Sequence, residues 1–173
     1  EMEESDWSSD VCSSDLVYML EKMGAGIEMM NGAVRIKGGV LEGMDIDMNA
    51  TPDALPAMAV AGCFARGTTR LLNVPQARIK ETDRIAVMCS ELKKMGAKIE
   101  ELPDGLVIEG GGGLRGCEVE GHHDHRVVMS LAVAGLAAEG RTYISTAEAV
   151  DVTFPDFPDI MREAGAQISM ADF

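Results

Sequence analysis

The chain is poor in aromatic residues, which make up 4% of its 173 positions, whereas it contains 13 methionines. A hydrophobic fraction of 46% is nevertheless enough for one domain with a sizeable core or for two small subdomains. Such a core must be built mainly from aliphatic side chains and thioethers, packed closely through small residues. The composition therefore predicts a folded protein but leaves its function open.

Basic residues are also scarce, because 15 Lys and Arg face 29 Asp and Glu and give a net charge of −14. The summed field of such a chain repels nucleic acids and anionic membrane surfaces. We therefore expect neither as a partner. An anionic small-molecule substrate would need a local concentration of Arg and Lys.

Long apolar runs are absent, since no segment approaches the roughly 18 to 20 residues that a membrane span requires. The four cysteines, Cys12, Cys63, Cys89 and Cys117, are widely scattered and form no Cys-x-x-Cys pair. We interpret them as reduced thiols that mostly serve packing. These features favour a cytoplasmic protein that does not enter the membrane.

The first residues lack periodicity of either kind. Residues 5–15 read SDWSSDVCSSD, which nearly duplicates SSD and shows neither helical nor strand spacing. We therefore expect residues 1–15 to be a disordered leader of cloning or sequencing origin, with a natural flexible tail as the alternative. The protein-like pattern begins near Leu16, so we assign the domain to residues 16–173.

An internal repeat organises the rest of the chain. The phrases LEKMGAGI, LKKMGAKI and MREAGAQI place their central glycines at Gly24, Gly96 and Gly165, which are 72 and 69 residues apart. A second phrase, AVAG followed by a Gly and a Thr, begins at Ala59 and again at Ala132, an offset of 73. Matching offsets in separate phrases indicate a duplicated supersecondary unit of about 70 residues.

Each unit combines helices with short strands. An amphipathic helix ends at the glycine of the first phrase, which suits a left-handed cap. In the second unit, strands follow at residues 97–102, 105–109 and 117–120, and a further helix covers about 126–138. The pattern predicts an α/β fold of repeated units, two nearly complete and the third a remnant.

Polar residues open the second helix of each unit, as TPDA at Thr51–Ala54 and DHR at Asp124–Arg126. The free amides of a helix N-terminus can hold anions or orient polar side chains. Capping is the simpler interpretation, with Thr51 or Asp124 as N-cap and Pro52 as the first helical residue.

The segment Arg78–Arg84, RIKETDR, carries three bases and two acids before another helix. If that helix begins near Thr82, Glu81 and Arg84 are three positions apart and face the same side, with Lys80 just outside. A solvated helix start would also explain the charges. In a chain this acidic, however, three grouped bases favour a site for phosphate or carboxylate.

Three histidines surround one aspartate at His122, His123, Asp124 and His125, which raises the question of a metal site. Adjacent residues of an extended segment point to opposite faces, and the chain offers no spaced ligands elsewhere. We therefore expect no metal here, and we expect His122 and His123 to be solvent-exposed loop residues.

Four motifs together resemble one enzyme family. TPDALP at 51–56, RIKETDRI at 78–85, DHR at 124–126 and TFPDF at 153–157 occur in this order and spacing in the C-terminal portion of EPSP synthases, the 3-phosphoshikimate 1-carboxyvinyltransferases. The combination of KETDR with DHR is highly specific. The resemblance runs from about residue 16 to residue 170 and covers only part of a complete family member.

The resemblance implies a fold and an activity. Family members have two globular domains, each made of three βαβαββ units, with the active site in the cleft between them. They are expected to be monomeric and to need no cofactor. They transfer the enolpyruvyl group of phosphoenolpyruvate to the 5-hydroxyl of shikimate 3-phosphate, releasing phosphate. A chain without the N-terminal domain should be inactive alone.

The resemblance also implies an acid and a base. Asp53 would contact shikimate 3-phosphate and accept the proton of its 5-hydroxyl, while Glu81 would protonate the methylene carbon of phosphoenolpyruvate. Addition of a hydroxyl to an enol ether needs such a pair.

Further residues would bind the substrates. Gln76 and Lys80 would help to hold shikimate 3-phosphate, whereas Arg84 and Arg126 would bind phosphoenolpyruvate with His125 beside them. Dense positive charge would also stabilise the tetrahedral adduct electrostatically.

Two positions depart from the family pattern. Val152 stands where many members have a Lys before TFP, and Gln76 replaces the Asn associated with the substrate contact. Two other interpretations remain open, the first within the same fold and the second from a different class of function. One is UDP-N-acetylglucosamine 1-carboxyvinyltransferase, which lacks the KETDR and DHR combination. The other is a non-catalytic anion-binding module that uses the same bases.

Overall fold

A computed structural model describes residues 7–30 and 33–171 of the chain. Within them, helices alternate with short strands, and 3₁₀ turns occur at Pro52–Ala54, Pro75–Ile79 and Ala147–Val152. The α-helices are α1 (Trp7–Lys22), α2 (Leu55–Phe64), α3 (Arg84–Lys94), α4 (His125–Ala137) and α5 (Phe157–Glu163). The strands are β1 (Gly26–Met30), β2 (Ala33–Lys37), β3 (Asp45–Asp47), β4 (Thr68–Leu72), β5 (Lys98–Leu102), β6 (Gly105–Glu109), β7 (Glu118–Glu120) and β8 (Tyr143–Ser145).

The repeat holds at the level of strand register. β3 pairs with β4 in parallel and places Asp45 opposite Arg70. β7 pairs with β8 in the same way and places Glu118 opposite Tyr143, so both positions are shifted by 73. The same shift of 73 relates the two isolated bridges, Glu42 to Arg66 and Arg115 to Glu139. The predicted α/β fold of repeated units is therefore confirmed.

The two units join through one sheet. The antiparallel hairpin β5–β6 of the second unit adds to β4 of the first, which gives a four-stranded sheet in the order β3-β4-β6-β5. The hairpin β1–β2 and the parallel pair β7–β8 each form a separate two-stranded sheet.

Glycines end the first helix of each unit as the sequence predicts. Gly24, Gly96 and Gly165 have φ angles of 100°, 92° and 97°, which is the left-handed region that a side chain would strain. After Gly165, residues 166–170 repeat the start of a β-hairpin in sequence, but the structure assigns no strand to them.

The core lies between the helices and the four-stranded sheet. It is rich in methionine and leucine, in agreement with the low aromatic content, and five of its methionines are fully buried. These are Met23, Met48, Met58, Met88 and Met95. Cys63 and Cys89 are also buried, which confirms the packing role expected for these two thiols.

The first helix differs from our expectation for the leader. α1 begins at Trp7, inside the segment for which we expected disorder, whereas residues 1–6 lie outside the described ranges. Once a helical nucleus exists, each further residue adds one hydrogen bond. The turn that buries Met19 anchors the C-terminal half of α1 and provides such a nucleus. The non-native origin of residues 1–15 stays a prediction.

None of the helices in the described ranges is both long enough and apolar enough to cross a membrane.

Candidate functional site

Three chain segments bring charged residues to one place. The 3₁₀ turn Pro52–Ala54 begins α2 and carries Asp53, the loop before α3 carries Lys80 and Glu81, and the first turn of α4 carries Arg126. The guanidinium of Arg84, at the start of α3, lies at their centre. We call these residues, together with Asp124, the Arg84 cluster.

Arg84 is fully buried and binds three carboxylates. Its Nη1 donates to Asp53 Oδ1 at 2.7 Å, and its Nη2 donates to Glu81 Oε2 at 2.6 Å. Burial disfavours the charged guanidinium, but the adjacent carboxylates outweigh this and raise the pKa of Arg84 above its ordinary value. The side chain is therefore a permanent cation that fixes the positions of the proposed acid and base relative to each other.

Asp124 supports this arrangement from α4 and is also fully buried. Its Oδ2 accepts from Arg84 Nε at 2.7 Å and its Oδ1 accepts from Nη2 at 3.2 Å. The same carboxylate caps α4 by accepting from the backbone amides of Arg126 and Val127. The capping role agrees with the sequence prediction. The link to Arg84 was missed, although a buried carboxylate within a charged motif requires a partner.

Asp53 is half-buried and contacts two more bases. Lys80 Nζ lies 3.1 Å from its Oδ1, and Arg126 Nη2 lies 3.6 Å from its Oδ2. Burial raises the pKa of this carboxyl, but the hydrogen bond from Lys80 and the charges of Arg126, Lys80 and Arg84 outweigh it. The pKa therefore lies below its ordinary value of 3.8, and Asp53 is ionised at neutral pH.

The Arg84 cluster is balanced in formal charge, since Asp53, Glu81 and Asp124 face three bases. An incoming anion cannot reach the buried Arg84 without displacing a carboxylate from it. Lys80 and Arg126 are accessible, with side-chain exposures of 32% and 37%. These two are therefore the solvent-accessible bases of the cluster.

Two predicted site residues lie outside this network. Gln76 donates from Nε2 to the backbone oxygen of Asn49 at 2.8 Å and to its side-chain oxygen at 3.1 Å, and so braces the loop that leads to Asp53. His125 is the first residue of α4 and is half-buried. Within the described ranges, no hydrogen bond or ion pair joins either side chain to the Arg84 cluster.

The sequence predicts that three bases of Arg78–Arg84 lie together, and this prediction is wrong for Arg78. Arg78 donates to the carbonyl oxygens of Leu102 and Pro103 and pairs with Asp83 and Glu101, so it braces the β5–β6 turn instead of facing the cluster. The backbone after β4 turns through the 3₁₀ segment Pro75–Ile79, which sends Arg78 and Lys80 in different directions.

The helix starts also differ in detail from the prediction. α3 begins at Arg84, and its N-cap is Asp83, whose carboxylate accepts from the amide of Ala86 at 3.0 Å. The helix therefore begins two residues after Thr82, near the expected start, and Glu81 and Arg84 form the expected pair. Pro52 opens its 3₁₀ turn as predicted, but Thr51 makes no side-chain capping hydrogen bond.

The two loop histidines differ from each other. His123 is exposed, as expected, but His122 is half-buried, and its Nε2 lies 3.4 Å from the buried Glu91. The expectation of solvent exposure is therefore wrong for His122, whose ring contacts the buried carboxylate of Glu91 in α3. In the part of the chain that the structure describes, no group of three His, Cys, Asp or Glu side chains could hold a metal.

Comparison with known proteins identifies the family of the chain. A family model described as EPSP synthase (3-phosphoshikimate 1-carboxyvinyltransferase) matches residues 6–161. Over 154 residues the chain is 66% identical to the 3-phosphoshikimate 1-carboxyvinyltransferase of Acetivibrio thermocellus, covering 89% of this chain and 36% of the relative. The protein of the same name from Methanocaldococcus jannaschii is 46% identical over 156 residues, again covering 36% of its length.

A solved structure gives the same result. The EPSP synthase of Acinetobacter baumannii superposes with a TM-score of 0.82 at 35% identity, covering 90% of this chain and 40% of that one. The chain thus spans little more than a third of the length of the curated relatives it matches. Because the family match extends over most of its residues, the chain belongs to the EPSP synthase family.

Proposed function

We propose that this chain provides one wall of the active site of a 3-phosphoshikimate 1-carboxyvinyltransferase. The observation that carries the proposal is that one buried cation, Arg84, holds both Asp53 and Glu81, at 2.7 and 2.6 Å. Two carboxylates aligned by a shared guanidinium can act as a base and an acid on adjacent reacting groups. The family to which the chain belongs uses this type of reaction.

The reaction would proceed by addition and elimination. Asp53 accepts the proton of the 5-hydroxyl of shikimate 3-phosphate. At the same time the oxygen of that hydroxyl attacks C2 of phosphoenolpyruvate. Glu81, protonated once the substrate has replaced it on Arg84, donates its proton to the methylene carbon, which completes a tetrahedral adduct. Glu81 then takes back a proton from the new methyl group, and phosphate departs with the proton held by Asp53, which regenerates the double bond and returns both carboxyl groups to their starting states. No cofactor is required.

Substrate anions would also activate the base. When a phosphate or carboxylate pairs with Lys80 and Arg126, these bases no longer pair with Asp53. The pKa of Asp53 then rises from its depressed value, which increases the driving force for proton transfer. Lys80 would contact shikimate 3-phosphate, and Arg126 would contact phosphoenolpyruvate. Arg84 would also bind phosphoenolpyruvate after it releases one of its carboxylate partners.

Two further residues are assigned by family resemblance. Gln76 would contact shikimate 3-phosphate from the loop that it braces through Asn49, and His125 would lie beside phosphoenolpyruvate. Val152 is 80% exposed at the end of the turn Ala147–Val152. Its apolar side chain supplies no base, so phosphate binding would depend on the remaining cations.

The chain is expected to be inactive alone. The Arg84 cluster has no excess positive charge, and two polyanionic substrates in one cleft need more cations than it offers. These would come from the portion of the curated relatives that this chain does not cover. We further propose that the complete protein is cytoplasmic and monomeric.

Phosphate release from phosphoenolpyruvate in the presence of shikimate 3-phosphate tests the proposal. The chain should release no phosphate alone and should be active when it is mixed with the complementary N-terminal portion of a close relative. Glu81→Gln should abolish turnover and leave substrate binding intact, whereas Glu100→Gln, which changes an exposed carboxylate of β5, should have little effect. An assembled mixture without turnover, or full activity in Glu81→Gln, would contradict the proposal.

A further inference from the structure

The loop that carries two of the proposed site residues, Lys80 and Glu81, has little structure of its own. It follows the 3₁₀ turn Pro75–Ile79 and precedes α3. The backbone groups of Glu81 and Thr82 form no hydrogen bond to any residue that the structure describes. Ile79, the large apolar side chain at the start of the loop, is 84% exposed. Neither backbone hydrogen bonds nor apolar packing therefore fixes the positions of the two site residues.

Two ion pairs hold the loop in the free chain, and both belong to the Arg84 cluster. Lys80 pairs with Asp53, and Glu81 pairs with Arg84. In the proposed reaction, shikimate 3-phosphate takes the place of Asp53 on Lys80, and phosphoenolpyruvate takes the place of a carboxylate on Arg84. The substrates would thus remove the contacts that hold the loop at the stage when Glu81 must be correctly placed.

Arg78 closes the loop independently of these contacts. Its Nη1 donates to Asp83 Oδ2 at 2.9 Å, and Asp83 is the N-cap of α3. The ion pair therefore joins the residue before the loop 79–82 to the residue after it. Because the Arg78 side chain is only 25% exposed, solvent and salt screen the pair less than they would screen one on the open surface.

The hairpin β5–β6 anchors Arg78 in turn. Its Nε donates to the backbone oxygen of Pro103 at 2.8 Å, and its Nη2 donates to that of Leu102 at 2.6 Å. Nη2 also pairs with Glu101 at 2.8 Å. A guanidinium presents five donors in a rigid fork, so one side chain can hold two carboxylates and two carbonyl oxygens at once. We call Arg78, Asp83 and Glu101 the Arg78 clamp.

The repeat itself does not require an arginine at this position. The shift of 73 places Asp151 at the equivalent point of the turn Ala147–Val152. An ionised aspartate cannot donate to a carboxylate or to a carbonyl oxygen. The segment that follows it, residues 152–155, reads VTFP and carries no charge. The Arg78 clamp therefore accompanies the loop that carries Lys80 and Glu81.

We propose that Arg78 is a positioning residue, which holds Lys80 and Glu81 in place while substrates occupy the Arg84 cluster. Its effect on turnover rests on the proposed function, whereas the order of the loop is a property of the chain alone. Without the Arg78 clamp, Glu81 can move away from the methylene carbon that it protonates. Misplacement of a catalytic group by about 1 Å can cost on the order of a hundredfold in rate.

Backbone order parameters from NMR relaxation test the Arg78 clamp without a catalytic assay. A chain with Lys80→Ala and Glu81→Ala lacks both contacts that the substrates would replace. The backbone at 80–82 should keep an order parameter of about 0.85, and a further Arg78→Met should lower it below about 0.6. Arg70→Met, which breaks an exposed ion pair of β4, is the matched control and should leave the loop ordered. A loop that stays ordered after Arg78→Met, or is mobile before it, would overturn the proposal.

Turnover by the chain assembled with the complementary N-terminal portion measures the consequence. Arg78→Met should lower kcat on the order of tenfold or more and raise the KM for shikimate 3-phosphate, which Lys80 binds. The KM for phosphoenolpyruvate should change by less than about twofold, because Arg126 lies on α4 and outside the loop. A variant that is only less stable has a smaller active fraction and leaves both KM values unchanged. Arg70→Met should match the starting enzyme.

Asp83→Asn provides a milder second variant. Asparagine caps a helix about as well as aspartate but carries no charge, so α3 keeps its cap while the loop loses its ion pair. The variant should lower the order parameter of residues 80–82 and reproduce the kinetic pattern of Arg78→Met, both to a smaller extent. An unchanged order parameter and unchanged kinetics in Asp83→Asn would contradict the closing role of the ion pair.

The two measurements separate this inference from the proposed function. If the assembled enzyme with Arg78 intact releases no phosphate, the proposed function is contradicted, and the order parameters still decide whether Arg78 holds the loop. If that enzyme is active and Arg78→Met leaves kcat and both KM values unchanged, the positioning role is overturned. A loss of activity in Arg78→Met with both KM values unchanged would overturn it as well.

Discussion

Arg84 and Asp124 form a bidentate ion pair with both side chains fully buried, 40 residues apart in sequence. The pair joins the start of α3 to the start of α4, which belong to opposite ends of the second repeat unit. Because the same guanidinium also holds Asp53 and Glu81, the stability of the fold and the geometry of the proposed active site depend on the same side chain.

Removing Asp124 should therefore be costly. Asp124→Ala leaves a buried guanidinium without its best partner and removes the cap of α4, which together should lower the free energy of unfolding by roughly 3–5 kcal/mol. Urea denaturation measures this change. Asp45→Ala breaks the exposed pair with Arg70 and should cost less than about 1 kcal/mol. Equal losses in the two variants would contradict the structural role of Asp124.

The contribution of Asp53 to the free energy of unfolding should depend on pH. Its folded pKa lies below 3.8, so the ionised form is favoured by folding. The stabilisation is fully present above the unfolded pKa and is lost as the pH falls below about 4 through the folded value. In the variant Asp53→Asn, the asparagine side chain is neutral and therefore mimics the protonated carboxyl group of Asp53. The difference in unfolding free energy between the starting chain and Asp53→Asn should thus be constant near neutrality and shrink in acid.

Lys80→Met provides the internal check on this pH dependence. Loss of the lysine removes a cause of the depressed pKa and brings the folded value closer to the unfolded one, so the acid-induced loss of stability should be smaller and should be complete at a higher pH. Urea titrations in steps between pH 7 and pH 2.5 would resolve the shift. A profile unchanged by Lys80→Met would show that the ion pair does not control the titration of Asp53.

The close approach of β6 to β4 makes Gly105 sensitive to substitution. An added Cβ would lie 1.9 Å from the carbonyl oxygen of Leu71, and this backbone atom cannot rotate away. Gly105→Ala should destabilise the fold by about 1–3 kcal/mol or more. Gly112→Ala, where an added Cβ meets nothing within 4 Å, should stay within about 0.5 kcal/mol of the starting chain. Thermal or urea unfolding distinguishes the two variants.

The cysteines should react in an order set by burial. Burial raises the pKa of the Cys63 thiol to about 12, so almost none of it is thiolate near neutral pH. Cys89 is equally buried, whereas Cys117 is partly accessible. In a Cys12→Ser background, a thiol reagent should label one cysteine rapidly and the other two only after unfolding. Cys117→Ser should remove the rapid phase, and rapid labelling of Cys63 would contradict its burial.

Local features of the fold could be predicted from the sequence because they depend on nearby residues. The predicted strand at 105–109 agrees with β6, and the strand predicted at 97–102 agrees with β5 within one residue. The glycine caps follow from the need for a positive φ. Strand order was not predicted, because the addition of β6 to β4 depends on residues that are distant in sequence.

The candidate site shows the same limit. Asp53, Glu81 and Arg126 could be named from motifs, and the structure brings them together around Arg84. The direction of Arg78 could not be predicted, since it follows the path of an irregular segment. The dual role of Asp124 depends on a contact with α3, and no local pattern encodes that contact.

The most direct test of the central claim is a chimera. Residues 16–171 of this chain would replace the matching portion of the Acetivibrio thermocellus relative, so that the proposed site lies in a complete cleft. Phosphate release that requires both phosphoenolpyruvate and shikimate 3-phosphate, and that is abolished by Glu81→Gln, is the predicted result. A folded chimera that binds both substrates but releases no phosphate would contradict the proposed catalytic function of the Arg84 cluster.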